Sequence, residues 1–317
     1  MSMCALPAYS DDTTRIVELK QLLDSGNLSH SVQIEAANEL LALAENDADL
    51  RAFSLIERAS ANFKLDHEDA LRDLDIVRQT IDERSDVIKA KYYCIDGAHR
   101  MHRGDLDLAH ESLVKSFDAA KNTNDSTLQV RALFYLCMNA RQKGYHILSA
   151  SYLDFGIELA KRGNLPEWVT RLQINLGQSY IRLKLFEKAE QHLMEIQQQN
   201  DYEIDPYSRI RIQTSLAEVE TARGDYESAL KRLSKVRPVA VKLNSQTFIN
   251  GIDELKVRCL IRSSNLDEAE EMIGELEKRW SDDQPTPVSN RTFYLTAMDK
   301  VDLLMAQGKF DYRISLL

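Results

Sequence analysis

Glycine and proline are scarce, with 11 and 6 in 317 residues. A sandwich or barrel needs a turn about every ten residues, so that architecture is excluded. So few glycines also leave little room for phosphate-cradling loops. The phosphate-binding loop, the dinucleotide fingerprint, the nucleophile elbow and the His-Glu-x-x-His zinc pattern are all missing. No apolar run approaches the ~18 residues of a membrane helix, so the chain has no membrane span. Positive charge is in deficit, the net charge being −10, which argues against a nucleic-acid partner. Cysteine is limited to Cys4, Cys94, Cys137 and Cys259, far apart and without a C-x-x-C pair. Two disulfides are one reading of these four. The other has Cys94, Cys137 and Cys259 as small buried hydrophobes on helices. What remains is 44% hydrophobic and 28% charged, enough apolar material for a core and too much for global disorder.

Self-similarity organises that material. Taking an inter-helix turn residue as anchor gives Gly26, Leu65, Gly104, Gly144, Lys184, Gly224, Ser264 and Gly308, spaced 39, 39, 40, 40, 40, 40 and 44 residues apart. The last gap holds residues 281–287, which read as a loop insertion. Nineteen residues before the five central anchors from Gly104 to Ser264 stand Ser85, Asp125, Leu165, Asp205 and Ser245, four of them good helix N-caps. Pro166 and Pro206 follow two of these, where a first helical turn accepts proline. Each unit therefore starts a helix about 18 residues before its anchor, turns, and runs a second helix of about 16 residues. Ala109, Ala189, Ala229 and Ala269, five residues past their anchors, let the second helix approach the first, and Gly97 and Gly177 do so from the other side. Pairs with small facing residues pack near antiparallel. Gly224→Val is expected to strain the turn and crowd the two helices.

Leu176, Gly177, Tyr180, Phe186 and Ala189 in one unit, with Leu216, Ala217, Gly224, Tyr226 and Ala229 in the next, make the chain resemble the tetratricopeptide-repeat family. The resemblance covers residues 12–317, strongest in the middle. The period departs from the family's usual 34 residues. Ser149 and Arg313 stand where Ala is expected, and Lys256 and Lys300 where Leu is expected. The resemblance implies an all-α, right-handed superhelical solenoid of antiparallel helix pairs, here about eight hairpins with the last incomplete. It implies a concave groove lined by first helices, and protein or peptide binding without chemistry.

Residues 1–11 read as a disordered tail or the remnant of a signal peptide, since residues 8–10 have a small-x-small form but lack a basic start and apolar stretch. A cytoplasmic location is the default for the chain as it stands, and a periplasmic one follows if an upstream signal belongs to it. At the other end Phe310, Ile314, Leu316 and Leu317 leave an uncapped apolar helix, with Val301 and Leu304 beneath. That end is expected to meet a downstream domain or a second copy of the chain.

Chemistry-bearing sets are few. His99 and His102, with Asp96 and Asp105 nearby, make an incomplete ligand set, more readily a helical face than a metal site. Trp168 and Trp280 read as packing residues. No catalytic residue, cofactor or metal is assigned. One constellation recurs: Lys91, Arg131, Arg171 and Arg211 stand 40 apart, each thirteen before its anchor. The helix dipole disfavours cations near a helix start, so propensity does not explain them. Asn175 and Ser215 lie one turn beyond Arg171 and Arg211. In peptide-binding members of the resembled family, residues at these places clamp a carboxylate. Here Phe134 and Met138 make the preceding unit's matching place apolar, so only part of that clamp is present. The expected ligand-binding set is Lys91, Arg131, Arg171, Asn175, Arg211 and Ser215, with an acidic peptide segment or protein as partner. The competing reading makes the cations internal braces between repeats. The leading function is a non-enzymatic binding scaffold, in its sharper form the sensory or regulatory module of a bacterial signalling protein. The alternative is a helical hydrolase or transferase with a site in the groove.

Overall fold

The computed structural model describes residues 12–24, 28–63, 67–199, 204–281 and 299–307. Among these there is no strand. The tail 1–11, Cys4, the anchors Gly26, Leu65 and Gly308, the insertion at 282–287, Arg313, and the apolar end from Phe310 to Leu317 lie outside the described residues, as does the side chain of Trp280. The chain divides into two compact units, residues 1–169 and 170–317.

The first unit holds α1 (Asp12–Asp24), α2 (His30–Leu43), α3 (Ala48–Asn62), α4 (His67–Arg78), α5 (Asp86–Arg103), α6 (Leu106–Lys121), α7 (Ser126–Gln142) and α8 (His146–Arg162). A short 3₁₀ turn, Ile81–Glu83, separates α4 from α5. Leu19, Leu40, Ile56, Leu74 and Tyr92 gather α1 to α5 round one core, and Leu113 and Leu133 anchor another between α5 and α8. The next helix, α9 (Pro166–Arg182), begins in this unit and runs on into the second.

The second unit continues with α10 (Phe186–Gln199), α11 (Pro206–Arg223), α12 (Tyr226–Lys242), α13 (Gln246–Arg262) and α14 (Leu266–Ser281), and residues 299–306 are again helical. Its core runs from Ile174, Leu193 and Ile212 through Ile210, Leu233 and Ile252 to Val257, Ile273 and Leu303. Each such fully buried side chain contributes about 1.5–3 kcal/mol relative to exposure.

The forty-residue phase is visible in the backbone. Gly104, Gly144, Lys184, Gly224 and Ser264 take positive φ of 86°, 79°, 59°, 85° and 64°. One hydrogen bond recurs at every one of these turns. The N–H of the residue after the anchor donates to the carbonyl five back, as Asp105 does to Arg100, Tyr145 to Ala140, Leu185 to Tyr180, Asp225 to Glu220 and Asn265 to Leu260, at 2.8–2.9 Å. This left-handed closure satisfies carbonyls that a helix C-terminus would otherwise leave bare.

The small residues do what their spacing predicts. Ala109, Ala189, Ala229 and Ala269 are fully buried, as is Ser149, whose hydroxyl lies 3.3 Å from Cys137 Sγ. A Cβ on Gly97 would stand 2.6 Å from Leu113 Cγ, and one on Gly177 2.7 Å from Leu193 Cδ2. Cys94, Cys137 and Cys259 are buried thiols, and burial pushes Cys94 up to about 11.

Two expectations need correction. A Cβ at Gly224 meets nothing within 4 Å, so the cost of Gly224→Val lies in the positive φ of the turn rather than in crowding at its Cβ. Of the four N-cap candidates, Asp125 and Asp205 accept from Thr127 N–H at 2.8 Å and Ser208 N–H at 3.0 Å, but Ser85 and Ser245 make no side-chain cap. Their helices rest on tertiary packing instead.

Candidate functional site

The four recurring cations all sit in the first halves of first helices, yet their surroundings differ. Lys91, on α5, is buried at 6% exposure. Its Nζ donates to Asp24 Oδ1 at 2.7 Å and Glu57 Oε1 at 2.9 Å, and lies 4.6 Å from the Phe53 ring centroid. Glu57 is itself buried, and its backbone and side-chain oxygens both accept from Gln33 at 3.3 Å. Lys91 is therefore a brace joining α1, α3 and α5. The expectation that it binds ligand is corrected: its charge is already spent on two carboxylates of preceding helices.

Arg131, on α7, is half-buried and makes no ion pair among the described residues. Beside it the helix is apolar and aromatic. Phe134 meets Trp168 and Tyr135 edge-on, with ring centroids 5.8 and 5.5 Å away. Tyr135, one period before Asn175, is the residue that stands at the amide's place in this unit.

The remaining residues come together in the second unit. Asn175, on α9, is fully buried, with Nδ2 donating to the Arg171 carbonyl at 2.7 Å. Its Oδ1 accepts from Arg211 Nη2 at 3.0 Å, and Gln178 Oε1 stands 3.5 Å from the same nitrogen. Gln178 Nε2 in turn lies 3.4 Å from the hydroxyl of Ser215, which is also buried. Arg171 is exposed one turn before Asn175. The first helices α9 and α11 thus present a strip of two arginines and the Gln178 amide over a buried layer of Asn175 and Ser215. Two amide oxygens help hold Arg211, and two carboxylates hold Lys91. Such a strip can hydrogen-bond both the backbone and the carboxylates of an extended segment.

Sequence reasoning missed Gln178, although it stands three residues past Asn175 on the same helical face. The His99 and His102 set is taken up by packing. Both rings lie edge-on to Phe63, at 4.3 and 5.1 Å, and Asp96 binds Arg100 Nε at 2.7 Å and Ser112 Oγ at 2.5 Å.

No protein-family model matches the chain, and no curated protein matches it. Solved structures do. The chain resembles a Rap protein complexed with competence and sporulation factor at a TM-score of 0.71 and 12% identity, over 96% of this chain and 84% of that one. It resembles NprR in complex with its cognate peptide NprX at 0.71 and 16%, over 97% and 88%. A signal transduction ATPase with a tetratricopeptide repeat sensor, from Pyrococcus horikoshii, matches at 0.64 and 15%, over 96% of this chain and 47% of that one. The fold is that of tetratricopeptide-like helical repeat proteins. Among the described residues no helix is long and apolar enough to cross a membrane.

Proposed function

We propose that the chain is a non-enzymatic scaffold that binds a peptide or protein segment on the first-helix face of its second unit. Arg171, Gln178 and Arg211 are the contacts there, oriented by the buried Asn175 and Ser215, and Arg131 is a separate candidate on the first unit. The observation that carries this reading is the buried Asn175, whose side chain ties the guanidinium of Arg211 to the neighbouring first helix. A guanidinium oriented by amides is pre-organised for a carboxylate, and arginine suits that contact better than lysine. The likeness to NprR in complex with its cognate peptide supports a peptide as the partner and a sensory or regulatory role in bacterial signalling.

The test is fluorescence anisotropy against a library of acidic peptides with free C-termini. Binding weakens with added salt. Arg171→Ala with Arg211→Ala costs about 2–4 kcal/mol of binding, with about 1–3 kcal/mol of stability lost where the buried Asn175 oxygen is left without its Arg211 donor. Lys91→Met does the opposite, lowering stability by about 3–5 kcal/mol because Glu57 loses its buried partner, with affinity unaltered. The reverse pattern, melting lost in the arginine variant and binding intact, sinks the assignment.

A further inference from the structure

A second feature of the 170–317 unit is independent of the strip above. A cavity of about 360 Å³ opens along α11 and α12, with Val239 and the edge of Val236 forming its apolar floor over the buried Ile210, and Arg209, Lys231 and Lys235 at its rim. Arg232 also lines it but is already committed. Its Nε and Nη2 bind the Glu220 carboxylate at 2.5–3.0 Å, and its Nη1 donates to Gln213 Oε1 at 2.7 Å. Glu220, the one acidic residue of the lining, is consumed by that fork.

Lys231 and Lys235 are different. Both are exposed, they stand one helical turn apart on α12, and neither makes an ion pair among the described residues. Like charges at this spacing repel, so the helix gains nothing from them in isolation. In a chain of net charge −10, this local excess acts only over a Debye length.

We propose that this cavity binds a compact organic anion with an apolar body. Its carboxylate or phosphate head sits against Lys231 and Lys235, and its apolar part lies on Val239 and the exposed edge of Val236. The size falls within the range of small-molecule sites, which pair an apolar lining with a few converging polar groups. An inorganic anion would leave the apolar lining unused. An extended polyanion such as nucleic acid is disfavoured, because Glu187, Glu190 and Glu195 line a second cavity on α10 in the same unit.

The experiment titrates the full isotope-labelled chain with octanoate and octyl phosphate, following backbone amides, with octanol and inorganic phosphate as comparisons. The expected result is saturable shifts at Ser228, Val236 and Val239 with one or both amphipathic anions. Their relative affinity separates a carboxylate head from a phosphate head. Octanol and inorganic phosphate bind roughly tenfold more weakly or not at all. Lys231→Gln with Lys235→Gln weakens octanoate or octyl phosphate by roughly tenfold without changing the melting temperature. Arg171→Ala with Arg211→Ala leaves this binding as it is, so the outcome is separable from the peptide reading. The absence of saturable shifts, equal binding of octanol, or indifference to the lysine substitutions overturns the proposal and leaves the lysines as a solvated face.

Discussion

Lys184 and Ser264 hold positive φ at turns where Gly104, Gly144 and Gly224 stand in the matching hairpins. A side chain in that region costs about 1–2 kcal/mol, partly offset by the larger unfolded-state entropy of glycine. Lys184→Gly and Ser264→Gly are each expected to stabilise by about 0.5–1 kcal/mol, read as a rise in denaturant midpoint at constant slope. Gly224→Val is expected to lose about 1–3 kcal/mol from backbone strain alone. Asp299 makes a second residue-scale case. Burial pushes its carboxyl up to about 6, with Asp302 adding to the rise and Arg258 and Arg262 opposing it. The folded value lies above the unfolded one near 3.8, so the folded state holds the proton more tightly. This group's contribution is intact below about pH 4 and is lost as pH rises through about 6. Asp299→Asn should therefore raise the melting temperature at pH 7.5 and leave it nearly unchanged at pH 4. An equal gain at both values would remove burial of the charge as the cause.

Among elements, α12 carries an internal cost. Pro238 lies within it, where it removes an N–H and meets the carbonyl four residues back. Its side chain is exposed, so an alanine there displaces no packing. Pro238→Ala is expected to stabilise by about 1–3 kcal/mol in chemical denaturation, and no gain would mean that the local bend serves the packing of α12. Elements were also what the sequence displayed best. Helix starts, turns and small facing residues share one phase, because each is fixed by local geometry that repeats with the chain. Depth was not legible. Lys91 and Arg211 occupy the same register, yet one is buried between Asp24 and Glu57 and the other is tied to Asn175 and Gln178. What sets their surroundings apart is the residue on the preceding first helix, Glu57 for Lys91 and Asn175 for Arg211, and no period predicts that.

At the scale of the whole chain, helix pairs meet mainly their sequence neighbours, so stability is a sum of local terms. Hydrogen exchange of Gly224→Val should show protection falling most in α11 and α12 and least in α2 and α3. Uniform loss across all helices would indicate a single cooperative block. Acidity argued against a nucleic-acid partner but pointed to no other. The candidate strip emerged only where Asn175 and Ser215 were read beside the arginines. Gln178 came from the coordinates, since a lone glutamine on a helix carries no signal of its own.

The repeated left-handed closure has a consequence for changes of chain length. Every described anchor closes with the same hydrogen bond, and Asp205 and Ser245 open successive first helices at equivalent points. Excising residues 205–244 would join Ile204 to Ser245 and deliver the next helix in phase, with its apolar stripe facing inward. A two-residue insertion or deletion inside a helix would instead rotate the rest of that helix by about 200°, turning buried leucines towards water. Between Gly104 and Ser264, forty residues is thus the deletion length that keeps helix starts and turns in register.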